Sequence, residues 1–134
     1  MIQPVSDADL VQRALAVREY AYAPYSGYQV GAAVLTADGR VFTGCNIENS
    51  SYGLTVCAER VALLKAVSEG FRKFTTLAVV GPGDDYCLPC GACLQVMAEF
   101  APSLRILTAD STGRFRSRTL PELLPEAFTL IPSP

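Results

Sequence analysis

Two short apolar runs constrain the fold of this chain more than any other feature. Thr75–Val80 reads Thr-Thr-Leu-Ala-Val-Val, and Leu104–Ala109 reads Leu-Arg-Ile-Leu-Thr-Ala. Neither alternates between apolar and polar residues as a half-solvated strand does. Both are therefore expected as strands buried on their two faces, and such strands belong to parallel sheet covered by helices. A helix is expected between them, from Cys90 to Phe100. Pro89 suits its start and Pro102 closes it off. Strand, helix, strand in this order implies a parallel pair.

The preceding segment adds an antiparallel part. Val30–Thr36 and Val41–Cys45 are strand-like and are separated by Asp38-Gly39, a strong hairpin signal. Ahead of them a helix is expected. Ser6 is its cap, Asp7 and Asp9 suit its first turn, and Leu10, Ala14, Val17 and Ala21 recur at helical spacing before Pro24. A second helix is expected over Thr55–Glu69, with Gly70 at its C-terminal cap. Asn46–Leu54 reads as polar turn. After the Asp110–Gly113 turn, a fifth strand is expected at Phe115–Thr119, then a helical turn near Pro121–Leu124. The expected class is α/β: one domain over residues 1–134, with a mixed sheet and helices on both faces.

Composition excludes several functions. The chain has 134 residues, half of them hydrophobic, and a net charge of -2. That is enough apolar content for a core and too little charge for disorder. The acidic balance offers no electrostatic footprint for nucleic acid or an anionic membrane. Arg114, Arg116 and Arg118 alternate on one strand face and are read as a solvated or intersubunit surface. The opening MIQPVSDADL lacks a basic stretch followed by an apolar run, so no signal peptide is expected. A cytoplasmic protein is the default expectation.

Histidine is absent and there are five cysteines. Acid–base chemistry then falls to carboxylates, and a metal site to thiolates. An odd cysteine count and a Cys-x-x-Cys pair argue against a disulfide framework. Cys90 and Cys93 lie three apart at an expected helix start, which puts their sulfurs on one face. Cys57 lies near the start of another. Helix N-termini favour the thiolate form that a metal requires. Three thiolates from two helix tips suit zinc and leave its fourth position open, as in catalytic sites. Cys45 and Cys87 are read as small buried or loop residues without a paired spacing, and histidine is absent, so no fourth protein ligand is in view. Glu59, two residues after Cys57, stands near such a metal and is free to move protons. A dithiol redox pair and a structural zinc module remain open on these residues alone.

Five segments together carry a resemblance. They are Ala23-Pro24-Tyr25-Ser26-Gly27-Tyr28-Gln29-Val30-Gly31, Gly44-Cys45-Asn46-Ile47-Glu48-Asn49-Ser50-Ser51-Tyr52, Cys57-Ala58-Glu59-Arg60, Pro89-Cys90-Gly91-Ala92-Cys93 and Leu123-Leu124-Pro125-Glu126-Ala127-Phe128. In this order the chain resembles the small zinc-dependent cytidine deaminases that act on free nucleosides. Zinc deaminases include a three-cysteine variety, and their conserved glutamate serves as acid and base without ligating the metal.

The resemblance implies a three-layer α/β fold with a mixed five-stranded sheet, and Zn²⁺ bound by Cys57, Cys90 and Cys93. It implies hydrolytic deamination of cytidine and deoxycytidine in pyrimidine salvage, with zinc hydroxide attacking C4 and Glu59 shuttling protons. Arg60 matches an arginine that bonds the ligating sulfurs. Asn46 and Glu48 match ribose-binding residues, the backbone at Ala58 a pyrimidine contact, and Tyr28 a base-stacking aromatic that is usually Phe. Phe128 and Tyr52 match aromatics near intersubunit sites of a homotetramer. Leu94-Gln95 stands where the family commonly has Arg-Gln, which removes a positive group. Deaminases of other amino-pyrimidines, such as the blasticidin S deaminases, share the three-cysteine zinc site and remain the nearest alternative.

Overall fold

β1 (Gly31–Thr36) is the hinge of the architecture, because it pairs antiparallel with both β2 (Val41–Cys45) and β3 (Phe74–Val80). β2 and β3 therefore run in the same direction and end at the same edge of the sheet. β3 pairs in parallel with β4 (Arg105–Ala109), and β4 pairs antiparallel with β5 (Phe115–Thr119). The order across the sheet is β2-β1-β3-β4-β5. A computed structural model describes residues 4–130 of the chain.

The period-two alternation of the strands separates two cores. On one face Ala33, Ala78, Val80, Leu107 and Ala109 pack against Leu10, Val11 and Ala14 of α1 (Asp7–Val17). On the other, Ala32, Val34, Leu77, Val79 and Ile106 meet α2 (Ala58–Ser68) and α3 (Gly91–Phe100) through Ala62, Leu63, Ala66, Leu94 and Met97. A short α4 (Leu120–Leu123) closes the described chain with a Thr119–Glu122 capping box. The result is three layers with helices on both faces, as the apolar runs require.

Small residues set how closely the helices approach. A Cβ on Gly44 would lie 2.5 Å from Ala62 N and 2.9 Å from Ala58 O, so α2 rests directly on the β2 backbone. A Cβ on Gly31 would lie 1.9 Å from Ala14 O, and α1 sits equally close on the opposite face.

Element positions match the sequence reading apart from several termini, and two of those shape the site. The second helix begins at Ala58, not Thr55, because Ile47 and Val56 exchange backbone hydrogen bonds of 2.9 and 3.0 Å. That bridge keeps Val56 extended and places Cys57 at the N-cap. The third helix begins at Gly91, with Cys90 at the N-cap and Pro89 outside the helix. Asn46–Leu54 holds more order than a plain turn: Ile47 also bridges Tyr22, and Tyr52–Leu54 forms a 3-10 turn. Ala21 lies beyond α1, which gives way to a 3-10 turn at Arg18–Tyr20. Leu94, which the resemblance sets against an arginine, is 6% exposed and belongs to the α3 core face.

Candidate active site

The site follows from strand direction. β2 leads through residues 46–57 to the N-terminus of α2, and β3 leads through Gly81–Pro89 to the N-terminus of α3. Because β2 and β3 are co-directional, both helix tips meet beyond the same sheet edge, where ligand sites of α/β folds form. β1 starts at that edge, and the residues leading into it contribute Tyr28 and Val30.

Cys57 and Cys90 occupy the two N-caps with extended backbone, and Cys93 lies one turn into α3. Their three sulfurs lie within 4.8 Å of one another. The Cys57–Cys90 separation is 3.9 Å and the Cys90–Cys93 separation 3.5 Å. Tetrahedral zinc at its usual Zn–S distance requires sulfurs about 3.8 Å apart, so this donor set fits the ion. Among the described residues no other group of three metal-ligating side chains is so placed.

The charges around the sulfurs are arranged for thiolates. Arg60 Nη2 donates to Cys57 Sγ at 3.3 Å, while its Nε is buried without a partner. Hydrogen bonds from the Cys93 thiol and from Arg60 hold Cys57 far below the usual thiol range. Cys93 is pushed up, chiefly by its hydrogen bond to Cys57 and by burial.

Glu59 is 5% exposed, and its burial pushes the carboxyl up to about 7. A carboxyl poised near neutrality at a cleft wall suits proton transfer in both directions. The cleft has a volume of about 210 Å³ and is lined by Cys57, Cys90, Glu59, Ala58, Asn46 and Tyr28, among others.

Asn46 is fixed at both ends of its amide. Its Oδ1 accepts from Val30 N at 2.9 Å and its Nδ2 donates to Tyr28 O at 2.8 Å. One amide hydrogen and one lone pair remain for a ligand. Glu48 lies outside the first cleft, in an adjoining hollow of about 410 Å³ with Tyr25, Ser26, Tyr52 and Thr55. Thr55 lines both hollows. The Ser26 hydroxyl, then the backbone N–H groups of Tyr25 and Ser26, lower the Glu48 carboxyl below its ordinary value. Tyr52 packs edge-on against Tyr25, with centroids 5.9 Å apart. Phe128 is 70% exposed and lines neither hollow, although Gln95 Nε2 donates to its carbonyl at 2.8 Å.

Cys87 is the loop residue that the sequence reading expects, but it also lines the first cleft, where burial pushes its thiol up to about 11, and it does have a paired spacing. Its spacing to Cys90 is also Cys-x-x-Cys, a signal open to inspection. Segment 87–90 is not helical, so that spacing does not bring the two sulfurs to one face. Cys87 is accordingly not one of the three clustered thiols.

Residues 4–108, which include the three clustered cysteines and Glu59, match the family described as cytidine and deoxycytidylate deaminase zinc-binding region. The chain belongs to the cytidine deaminase family. A cytidine deaminase of Halalkalibacterium halodurans is 52% identical over 90% of this chain and 92% of its own. One from Mycobacterium tuberculosis is 46% identical over 82% of this chain and 80% of its own. The crystal structure of a Burkholderia pseudomallei cytidine deaminase superimposes with a TM-score of 0.89 at 48% identity, covering 92% of this chain and 99% of that one. The three-layer mixed sheet is thus the cytidine deaminase fold. Among the described residues no helix is long and apolar enough to cross a membrane.

Proposed function

We propose that this chain is a zinc-dependent cytidine deaminase, a hydrolase converting cytidine and deoxycytidine to uridine and deoxyuridine with release of ammonia. One observation carries the reading: three sulfurs spaced for a single zinc ion, with a buried glutamate on the same cleft wall. Cys57, Cys90 and Cys93 hold the ion. When bound, zinc supplies Lewis-acid activation of a water molecule. Arg60 offsets part of the charge of three thiolates, which otherwise weakens that activation.

Glu59 moves the protons. It accepts one from the attacking water, delivers it to N3 of the pyrimidine, and later serves the amino group leaving C4. Burial supports this role by holding the carboxyl near neutrality. Ala58 presents backbone to the pyrimidine, and Tyr28 offers its ring for stacking. Asn46, with its amide orientation fixed, keeps one hydrogen for the sugar.

The paired hollows suit a two-part ligand, with the base beside the cysteines and the sugar towards Glu48. A carboxylate held in its charged form accepts from a ribose hydroxyl and repels a phosphate. That favours free nucleosides over nucleotides or polymers. Tyr52 and Phe128 lie open to solvent in one subunit. Their exposure supports a homotetramer in which neighbouring copies cover these rings. We further infer a single domain over residues 1–134, of which 4–130 are described, acting in pyrimidine salvage in the cytoplasm.

The decisive assay follows cytidine and deoxycytidine deamination by absorbance, with zinc quantified in the same sample. Blasticidin S and free cytosine serve as competing substrates. One zinc per chain with turnover of a nucleoside is expected. Turnover of blasticidin S with neither nucleoside accepted would overturn the substrate assignment.

A further inference from the structure

The loop Gly81–Pro89 has no regular structure of its own, yet it presents Cys87 and Leu88 to the cleft and leads directly into Cys90. Cys93 lies within α3, whereas Cys57 and Cys90 stand at N-caps, where a preceding segment enters its helix. Cys90 is the exposed member of the three. Its sulfur therefore depends on how the loop is anchored.

The anchor is the β4–β5 hairpin. Cys87 N donates to Ala109 O at 3.1 Å, and Ser111 N donates to Gly83 O at 3.0 Å. Side chains complete the attachment. Arg114 Nη2 donates to Asp84 O at 3.4 Å. The Tyr86 ring lies 5.1 Å from the Arg114 guanidinium and 4.3 Å from that of Arg116. Arg114 is itself set in place, since its Nε donates to Asp110 Oδ2 at 3.0 Å. Asp110 is buried, and its Oδ1 accepts from Thr112 N, Thr112 Oγ1 and Arg114 N. A hydrogen-bonded turn thus places one guanidinium, the strand beyond it places a second, and both lie over the one aromatic of the loop.

We propose that Tyr86, held by the Arg114 and Arg116 guanidinium groups, is a positioning residue that fixes Cys90 for the metal. This rests on the reading of Cys57, Cys90 and Cys93 as zinc ligands. It also gives Arg114 and Arg116 a role that a solvated face does not explain. Outer partners of metal ligands change affinity by about 10–100-fold when removed. Tyr86 acts four residues from its ligand, so a smaller effect of about 5-fold is expected.

The test measures zinc content and then the rate of zinc transfer from the holoenzyme to a chromogenic chelator, well below the melting temperature. Tyr86→Leu is expected to release zinc about 5-fold faster, and Arg116→Gln about 2-fold faster. Arg116 is exposed on an edge strand, so its replacement leaves folding intact even if Tyr86→Leu does not fold. Tyr86→Phe keeps the ring and should release zinc at the wild-type rate. Val11→Ala, on the opposite sheet face, should lower the melting temperature without speeding release. Wild-type rates in Arg116→Gln, loss of the effect's dependence on the ring, or equal acceleration by Val11→Ala would each overturn the proposal. Wild-type protein purifying without zinc would instead remove the metal reading, and the role of Tyr86 with it.

Discussion

One methyl group added at Gly44 drives β2 against the backbone of α2. In Gly44→Ala the new Cβ would stand 2.5 Å from Ala62 N, 2.9 Å from Ala58 O and 3.0 Å from Val61 C. All three are backbone atoms, so no side chain can rotate away. Ordinary contact begins near 3.4 Å, and relieving the worst overlap moves strand and helix apart by 0.9 Å, the difference between 3.4 and 2.5. Overpacking of this kind costs about 1–3 kcal/mol, and contact with backbone puts it at the upper end of that range. For a chain of this size that lowers the melting temperature by roughly 10 °C. The catalytic consequence is separate. The displaced turn of α2 carries Cys57, Ala58 and Glu59, and a misplacement of about 1 Å costs on the order of 100-fold in rate. Calorimetry and steady-state cytidine deamination measure the two effects. Gly53→Ala is the control, because nothing lies within 4 Å of its Cβ position. A Gly44→Ala protein melting within about 2 °C of wild type, at undiminished kcat/KM, would refute the close seating of α2 on β2.

Four further outcomes are expected. Glu59→Gln should keep its zinc and lose about 10²–10⁴-fold in kcat, as removal of a positioned proton carrier does; atomic absorption and turnover check it together. Cys93→Ala removes the sulfur of a residue that is 0% exposed and belongs to the cluster, and the protein should purify without stoichiometric zinc. Leu63→Ala empties a site 1% exposed under the sheet and should cost roughly 2–5 kcal/mol in urea unfolding. Asp110 is held below the usual carboxylate range, chiefly by the Thr112 hydroxyl. Its folded pKa lies below the unfolded value of about 3.9, so its stabilisation is present above that pH and lost as pH falls through the folded pKa. The stability gap between wild type and Asp110→Asn should hold steady from about pH 5 to 8 and close below about pH 4; a gap unchanged at pH 2 would contradict this.

Local patterns made much of the molecule legible. The runs at Thr75–Val80 and Leu104–Ala109 marked the buried parallel pair, Asp38-Gly39 marked the hairpin, and Ser6 marked the first cap, where it accepts from Asp9 N. These signals act over a few residues, so they survive in one dimension. Cys57, Glu59 and the Cys90–Cys93 pair were visible for the same reason. The start of α2 was displaced because the Ile47–Val56 bridge, a contact nine residues apart, overrides helical propensity at Thr55 and Val56.

Residue chemistry alone therefore pointed this chain to sulfur for a metal and to a carboxylate for proton transfer. It has no histidine to do either. The convergence of the sulfurs was decided in three dimensions. β1 pairs with both β2 and β3, and that single arrangement turns two distant helix tips toward one point. The same closure buries Glu59, spends the Asn46 amide on Val30 and Tyr28, and sets Tyr86 beneath two arginines from another segment. Burial and contacts between remote segments depend on the whole packed sheet, and no run of adjacent residues encodes them.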